Sequence, residues 1–486
     1  MSVLDLSIRE IHNALVNKEI TALELVTEAI ERVKTDETNA LEATCFEEAL
    51  EEAKNITEVK EDELFKGIPY VCKDNFSTDG IETTASSNVL NGYVPTFDAE
   101  VVTRLKKAGA ILLAKTTMDE LAMGGTGTTG HKGVTCNPYD HDRIIGGSSA
   151  GSCSLVTSAC VPFALGSDTG DSVRKPASLG NIVGFKPTWG RVSRFGLFPF
   201  APSLDSVGYF ARNVSDICDL TTLLAGHDTK DFSSSYEDTC DYLAEAKKEN
   251  SCKKIGYIKE ILEDTKDKKI VESYYALIEK LKKEGYEVEE FEFGRNFLNS
   301  IYPTYMIISC SEATSNDACL DGIRYGIKPT GDEKTWEEFM SSARTRGFSS
   351  LIKRRFIIGS FSLLAENQEE LFVKAQRARR AIVNRLNEFF EKYDYLLVPA
   401  SGNVAPLIKD VTCSWDAKPN FVDNHLGLAN LAGLPSLTLP MGDENGLGYG
   451  VNITGRKFEE ANVFNLGLKI ESLLGYKGIS SRKWGK

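Results

Sequence analysis

Residues 166–172 read GSDTGDS, a run of small and polar residues that could carry out chemistry. A loop of this composition can bind phosphate, hold a metal ion or present a nucleophile. Walker-type phosphate loops read G-x-x-x-x-G-K-[ST], and the chain contains no such pattern. A metal site needs converging ligands, and the Cys and His residues show no zinc-ligand spacing. The loop ends at Ser172, and a nucleophile stays open as the third interpretation.

Two short motifs near this loop suggest other functions and are not completed elsewhere in the chain. Residues 125–130, GTGTTG, match the dinucleotide pattern G-x-G-x-x-G, but the turn-rich HKGVTCNPYD follows where a helix is required. A flexible glycine loop is therefore favoured there. Residues 172–175, SVRK, match the S-x-x-K motif of penicillin-recognising enzymes, but their S-D-N and K-T-G elements are missing.

A third motif, GSSAG at residues 147–151, matches the nucleophile elbow G-x-S-x-G with Ser149 at its centre. An elbow of this type needs an acid and a histidine later in the chain. The histidines that follow are His227, in the turn-like GHD, and His425, two residues after Asp423. A hydrolase that uses Ser149 and His425 therefore stays open as an alternative.

A much longer stretch, residues 146–187, reads GGSSAGSCSLVTSACVPFALGSDTGDSVRKPASLGNIVGFKP and resembles the signature of the Ser–Ser–Lys amidase family. The resemblance extends upstream to GIPYVCKDNF, which contains Lys73, and Ser148 lies 24 residues before Ser172, as in that family. It implies that Ser172 is the nucleophile, that Ser148 bridges it to Lys73 through a cis Gly147–Ser148 peptide, and that Ser149 supports them. It also implies an α/β amidase-signature fold, with one large mixed β-sheet flanked by helices.

Lys73 is suited to act as the base in this chemistry. Serine attacks an amide only if a base takes its proton, and a lysine can do so when burial keeps it neutral. Lys73 ends the apolar run GIPYVCK, which predicts a desolvated amine. The structural alternative is an ion pair with Asp74.

The turn before Ser172 is predicted to supply the oxyanion hole. The backbone N–H groups of Thr169, Gly170, Asp171 and Ser172 can converge on one point in a tight turn. The family has glycine where this chain has Asp171, and a carboxylate beside a developing oxyanion is unfavourable. We therefore expect Asp171 to point away, toward Arg174 or Lys175. The LGN at residues 179–181 also departs from the family pattern.

Several stretches narrow the resemblance to the A subunits of glutamyl-tRNA(Gln) amidotransferases, among them KTTMDELAMG, GRVSRFGL and NLAGLPSLTLP. This implies that the chain hydrolyses glutamine through a glutamyl ester on Ser172 and passes ammonia to a B subunit. That partner would use ATP and Mg to convert Glu-tRNA(Gln) to Gln-tRNA(Gln), with a small C subunit completing a heterotrimer. No cofactor is expected in this chain, and tRNA is expected to bind mainly through the partner.

The same resemblance suggests which residues hold glutamine. Asp423 corresponds to the acid that binds the α-ammonium, and Arg354, preferred over Arg355, to the cation for the α-carboxylate. Tyr305 is expected to line the pocket. Without the resemblance, these residues would be taken as a surface ion pair and a core tyrosine. Two other functions stay open: a stand-alone amidase acting on another small amide, and an inactive scaffold that binds a partner.

Composition limits the location and partners of the chain. It has 486 residues and a formal net charge of −14, so its general surface repels nucleic acid. Its eleven cysteines include no C-x-x-C pair, which favours reduced thiols in the cytoplasm. The N-terminus does not resemble a signal peptide, and no apolar run is long enough to span a membrane.

The elements that must position these residues suggest a single domain, 1–486. Capping boxes at Ser7 and Thr21 open two amphipathic helices within residues 1–65. Residues 66–212 alternate short apolar runs with glycine-rich turns, a βα rhythm that contains the signature. Residues 228–393 are predicted to be mainly helical, with one strand at KKIGYI. Residues 394–486 return to strands and a helix that complete the sheet.

Overall fold

The computed structural model of the chain describes residues 2–328, 330–412 and 420–476. Its main feature is an eleven-stranded sheet in the order β1-β3-β2-β6-β8-β7-β12-β13-β11-β9-β10, beside a two-stranded hairpin, β4-β5. The strands are β1 Leu41–Thr44, β2 Pro69–Lys73, β3 Ile111–Thr116, β4 Cys136–Asn137, β5 Asp140–Ile144, β6 Phe163–Asp168, β7 Val183–Lys186, β8 Ser206–Ala211, β9 Lys254–Ile258, β10 Glu287–Phe291, β11 Tyr395–Pro399, β12 Ser436–Glu444 and β13 Leu447–Thr454.

The sheet is mixed, as predicted. Strand β2 lies between β3 and β6 and is parallel to both, and β9 is parallel to β10 and β11. The pairs β6–β8, β8–β7, β7–β12, β12–β13 and β13–β11 are antiparallel. Strand β12 joins β7 through the pairing of Ser436 with Lys186, so the C-terminal strands complete the sheet that carries the signature.

Helices flank the sheet, which confirms the predicted fold class. They are α1 Ile8–Val16, α2 Ala22–Lys34, α3 Phe46–Asn55, α4 Glu100–Lys107, α5 Ala150–Thr157, α6 Arg174–Leu179, α7 Val214–Leu224, α8 Tyr242–Ala246, α9 Lys259–Asp264, α10 Lys268–Lys283, α11 Arg295–Asn316, α12 Trp336–Gly347, α13 Ser350–Leu363, α14 Lys374–Phe390, α15 Ile408–Thr412, α16 Gly427–Ala432 and α17 Glu460–Leu474. The capping boxes at Ser7 and Thr21 open α1 and α2 as predicted.

The region predicted to be mainly helical contributes two strands rather than one. Strand β9 coincides with the KKIGYI run, and Glu287–Phe291 adds β10 at the edge of the sheet. Its sequence, EVEEF, is mostly acidic and mostly solvent-exposed, so it lacks the apolar alternation of a half-buried strand. Charged side chains are a common protection for an edge strand.

Two clusters of buried apolar residues hold the helices to the sheet. The larger cluster joins the central strands to α1, α2, α7, α10 and α17. The second gathers α11, α13, α14 and α16 against β10 and β11. Across the residues that the structure describes, none of the helices is both long and apolar enough to cross a bilayer.

Candidate active site

The proposed catalytic residues lie at one edge of the sheet. Lys73 is the last residue of β2, and Asp168 is the last residue of β6. Because these strands are parallel neighbours, their carboxyl ends meet at the same edge, where α/β proteins commonly bind ligands. Lys73 therefore lies beside the residues that follow β6, which we call the active-site turn (residues 169–172).

The Lys73 amine is fully buried, and its hydrogen-bond partners among the described residues are hydroxyl and carbonyl oxygens. Its Nζ lies 2.8 Å from Ser148 Oγ, 3.0 Å from Ser149 Oγ and 2.9 Å from Ser167 Oγ. Burial lowers the Lys73 pKa to about 7, although nearby aspartates oppose the shift. Asp74 instead lies 3.3 Å from Lys115, so the ion pair considered as an alternative for Lys73 is not formed.

The two serines that contact Lys73 lie just before α5. The Gly147–Ser148 peptide is cis, and a Cβ on Gly147 would collide with the Asp119 carboxylate. Ser149 donates from its Oγ to the Ser167 carbonyl at 3.1 Å and from its N–H to the Ser172 carbonyl at 3.3 Å. The Ser172 Oγ makes no hydrogen bond within residues 2–328, 330–412 and 420–476, so the Lys73–Ser148 link is formed and the Ser148–Ser172 link is not.

The backbone amides of the active-site turn are free. Among the described residues, none accepts a hydrogen bond from the N–H groups of residues 169–172. The Asp168 carboxylate accepts from the amides that follow, Val173 at 2.9 Å and Arg174 at 3.4 Å. Four consecutive unpaired donors in a buried turn form a site for a negatively charged oxygen.

Arg174 fixes the shape of this turn. Its guanidinium donates to both Asp168 carboxylate oxygens, at 2.9 and 3.1 Å, and to the Gly170 carbonyl at 2.8 Å. Burial alone would raise the Asp168 pKa, but Arg174 outweighs it and lowers the pKa to about 2. Asn430, on α16, accepts from Arg174 at 2.6 Å. Thr169 donates to Asp205 at 2.6 Å, which anchors the other end of the turn.

A cavity of about 210 Å³ lies against the turn. Its wall includes Gly124, Gly125, Thr126, Gly170, Asp171, Lys175, Ile301, Tyr302, Tyr305, Arg355, Asn424 and Gly427. The Tyr305 ring packs so closely on Gly170 that a Cβ there would lie 3.1 Å from it. Tyr305 therefore forms part of the wall of this cavity. At about 210 Å³ the cavity is smaller than the pockets that hold drug-sized ligands, so it suits a small substrate.

Comparison with known proteins agrees with this geometry. The Amidase family model matches residues 24–464. The chain belongs to the amidase family. The A subunit of glutamyl-tRNA(Gln) amidotransferase from Streptococcus thermophilus is 38% identical over 98% of each chain, and that from Pediococcus pentosaceus is 37% identical over 97% of each. The crystal structure of the A subunit from Thermotoga maritima aligns with a TM-score of 0.80 and 32% identity, covering 99% of this chain and 98% of that one.

In this amidase the Asp171 carboxylate lines the cavity. Its Oδ2 lies 3.9 Å from Lys175 Nζ, so Lys175 is its basic neighbour, while Arg174 is engaged with Asp168. The carboxylate accepts none of the amides of the turn. Burial raises the Asp171 pKa to about 6, and Lys175 partly opposes the shift.

Arg354 was preferred over Arg355 as the cation for the α-carboxylate, but the positions of the two side chains favour Arg355. Arg354 is exposed, whereas Arg355 lines the cavity. Consecutive residues of a helix point about 100° apart, and on α13 it is Arg355 that faces this cavity. Within the described chain, the Arg355 Nε and Nη1 are buried without a hydrogen-bond partner. The Arg355 guanidinium lies over the Phe200 ring, 5.7 Å from its centroid.

The assignment of Asp423 to the pocket is also not supported by its position. Asp423 is exposed and lines a different cavity, with Asp264, Asp267 and Asn403 among its neighbours. It ends a short 3₁₀ turn whose Phe421 and Val422 are buried, which directs the acidic side chain outward. Asn424, the next residue, lines the cavity at the active-site turn instead.

Sequence analysis missed Asp119, which organises one wall of the cavity. Its carboxylate accepts the N–H groups of residues 126–129 at 3.0 to 3.2 Å, and the Thr129 hydroxyl at 2.8 Å. The GTGTTG stretch, predicted to be a flexible loop, is therefore wrapped around a buried carboxylate. We call residues 124–130 the threonine loop. The signal available in the sequence was the acid of the TTMDELAMG stretch, just before the glycines.

His425 is not placed to serve Ser149. Its Nδ1 lies 2.8 Å from the Val422 carbonyl and its Nε2 lies 2.9 Å from the Pro399 carbonyl, so both ring nitrogens are occupied. Burial lowers the His425 pKa to about 4. Ser149 contacts Lys73 instead. The Ser149–His425 alternative therefore lacks the required hydrogen bond.

Proposed function

We propose that this amidase is the glutamine-hydrolysing component of a tRNA-dependent amidotransferase. The observation that carries the chemistry is the buried Lys73 amine, which contacts Ser148 and Ser149 and no carboxylate in the described chain. The choice of substrate rests on the A-subunit relatives, which share 37–38% of their residues with this chain over nearly its full length.

In the proposed first step, neutral Lys73 removes a proton through Ser148. The Ser172 hydroxyl transfers its proton to Ser148 Oγ while Ser148 gives its own to Lys73 Nζ, 2.8 Å away. A Lys73 pKa of about 7 leaves a large fraction of the amine unprotonated at neutral pH. The Ser172–Ser148 hydrogen bond must form for this transfer, as often happens only when substrate binds.

Ser172 Oγ then forms a bond to the carboxamide carbon of glutamine. The carbonyl oxygen becomes an oxyanion, which accepts hydrogen bonds from the free N–H groups of the active-site turn. The protonated Lys73 returns its proton through Ser148 to the nitrogen, and the C–N bond breaks to release ammonia. Water then cleaves the glutamyl ester on Ser172 by the same route, yielding glutamate and the starting enzyme.

Glutamine recognition requires one anion and one cation in the cavity. Arg355 supplies two buried nitrogens without partners in the described chain, which suit the α-carboxylate. Asp171 supplies the carboxylate that lines the same cavity and suits the α-ammonium, in place of the exposed Asp423. Asp171, which stands where the family has glycine, would therefore bind the substrate.

The proposal also includes the partner subunits and their ligands ATP, Mg and tRNA. We expect B and C subunits, with the ATP-dependent conversion of Glu-tRNA(Gln) on the B subunit. Most tRNA contacts are expected there too, because this chain is acidic. The reaction is expected to take place in the cytoplasm, since the ten cysteines of the described residues are all free.

The test is ammonia release from glutamine by the purified chain, alone and mixed with its partner subunits. We expect glutamine turnover that rises when the partners and Glu-tRNA(Gln) are present, and loss of turnover in Ser172→Ala. Rapid hydrolysis of other small amides without glutamine turnover would favour the stand-alone amidase. Unchanged ammonia release by Ser172→Ala would contradict the catalytic assignment.

A further inference from the structure

A second cavity, of about 380 Å³, lies between α14, α16 and the loops that follow β7 and β13. Its wall is formed by Trp189, Ser203, Gln376, Arg379, Arg380, Val383, Leu431, Ala432, Gly433 and Lys457. None of these lining residues is acidic. The cavity is separate from the one that contains Asp171 and Arg355, because the two share no lining residue.

None of the three cations of this cavity forms an ion pair within the described residues, although Glu312, which accepts the Ser203 N–H at 2.9 Å, attracts Arg379 from outside the wall. Arg379 donates to the Leu431 carbonyl at 2.8 Å and to the Ser203 hydroxyl and carbonyl at 2.9 and 3.0 Å, all of them neutral acceptors. Arg380 and Lys457 are exposed and form neither a hydrogen bond nor an ion pair within the residues described. Arg379 therefore projects a fixed, half-buried positive charge, and the other two can move toward a ligand.

The rest of the surface makes this arrangement unusual. The chain has a net charge of −14, and many of its surface cations lie against carboxylates. Arg377, on the same helix, pairs with Glu369 at 2.7 Å. Three cations that line one cavity, with no acid among the lining residues, repel one another, and a bound anion lowers that cost.

The remaining wall indicates what is attached to the anion. Val383, Leu431 and Ala432 are apolar, and Trp189 adds an aromatic ring. Its Nε1 is bonded to the Pro202 carbonyl at 3.1 Å, and the Arg194 guanidinium lies over one face, 4.9 Å from the ring centroid. Cavities of this size hold compact ligands, and aromatic rings stack on flat groups. We infer that this cavity binds a phosphate ester of mononucleotide size, with the phosphate on Arg379, Arg380 and Lys457 and the flat group against Trp189.

The site is close to the catalytic turn but independent of its chemistry. Leu431 follows Asn430, which accepts from Arg174 at 2.6 Å and donates to Asp168 at 3.0 Å. Ser203 lies two residues before Asp205, the anchor of Thr169. The inference needs neither glutamine nor Ser172, so it can fail or succeed separately from the proposed function.

Isothermal titration of the full chain with AMP, inorganic phosphate and adenosine tests the inference. We expect AMP to bind with a Kd of about 10 µM to 1 mM, inorganic phosphate to bind more weakly and compete with AMP, and adenosine not to bind at that concentration. Raising the salt concentration should weaken AMP binding, because exposed charges are screened.

Four variants locate the binding. Arg380→Glu and Lys457→Glu should each weaken AMP binding by about tenfold or more, the effect of losing one charged contact. Arg377→Glu, which reverses a charge on the same helix but outside the cavity, should stay within about twofold of the wild type. Ser172→Ala should bind AMP like the wild type.

Two results would overturn the inference. One is an absence of binding by both AMP and phosphate at about 10 mM, well above the expected Kd. The other is equal weakening by Arg377→Glu and Arg380→Glu, which would indicate diffuse charge attraction. In the first case, binding of a short RNA would assign the cations to a nucleic-acid surface in place of a small ligand.

Discussion

Two loops of this amidase are rich in glycine and threonine, and each surrounds a buried aspartate, yet they differ in what their amides can do. In the threonine loop, Asp119 accepts the N–H groups of residues 126–129, so none of those four is left for a ligand. At the active-site turn, Asp168 accepts from Val173 and Arg174, and the amides of residues 169–172 remain free of partners in the described chain.

The difference shows that glycine content alone does not make an anion-binding loop. A loop binds an external anion only when no internal carboxylate takes its amides. Arg174 helps to keep the turn open, because it neutralises Asp168 and holds the Gly170 carbonyl away from the free amides. The threonine loop is structural by the same argument, although Gly124, Gly125 and Thr126 still form part of the cavity wall.

The largest expected effect is the loss of glutamine hydrolysis when Ser172, in the active-site turn, is replaced, compared with replacement of Ser149. Ser172→Ala should reduce kcat for glutamine hydrolysis by about 10⁶-fold, as loss of a serine nucleophile does elsewhere. Ser149→Ala removes only a supporting contact and should cost about 100-fold, the lower end of the range for acid–base support. Steady-state ammonia release measures both variants. If Ser149→Ala were the more severe change, the elbow motif would hold the nucleophile.

Lys73→Met should lower kcat by about 10³- to 10⁴-fold, because the base is lost while an apolar side chain fills its site. In the wild type the neutral amine is the active form and its pKa is about 7. The kcat/KM for glutamine should therefore rise with pH up to about 7 and then level. A pH–rate profile from pH 5 to 9 checks this, and a plateau extending down to pH 5 would be inconsistent with Lys73 as the base.

Asp119→Asn should destabilise the fold by about 3 kcal/mol, since charge-assisted hydrogen bonds to a buried carboxylate are lost and the new amide N–H₂ faces backbone donors. Urea unfolding measures the change. Asp62→Asn, at an exposed carboxylate, is the matched control and should stay within about 0.5 kcal/mol of the wild type. Equal stability of the two variants would mean that the threonine loop does not depend on its carboxylate.

Asp171→Gly should raise the KM for glutamine by about tenfold, because one partly exposed charge contact to the substrate ammonium is lost. Hydrolysis of glutaric acid monoamide, which lacks the α-amino group, should be unaffected or faster. In the wild type the KM for glutamine should also rise as the pH falls below about 6, the pKa of Asp171. An equal loss with both substrates would assign Asp171 to the shape of the turn rather than to binding.

The smallest effect concerns His425. His425→Ala should leave kcat of the folded enzyme within about threefold of the wild type, because its ring contacts only backbone carbonyls, although unsatisfied carbonyls lower stability by about 1–3 kcal/mol. The assay is run at a temperature where circular dichroism shows the variant folded. Complete loss of turnover in a folded variant would restore the Ser149–His425 hypothesis.

The sequence was informative where function depends on local, contiguous residues. The signature stretch predicted the Lys73–Ser148 contact and the turn at Ser172, and apolar runs predicted most strands of the sheet. The sequence did not predict which way a side chain points. Whether Arg354 or Arg355 faces the cavity depends on the rotation of α13 about its axis, and the buried neighbours of Asp423 direct its side chain outward. Strand β10 was missed because its mostly acidic sequence has no apolar alternation.

The pairing of β12 with β7 has a consequence for the chain as it is synthesised. Asn430, which holds Arg174, and β12 arrive only in the last sixth of the sequence, after Lys73, Ser148 and Ser172 have long been made. Until then β7 lacks its neighbour β12 and Arg174 lacks its hydrogen bond to Asn430, because such long-range contacts form late. An unfinished copy on the ribosome should therefore release no ammonia. Nitrogen would be drawn from glutamine only by a completed chain.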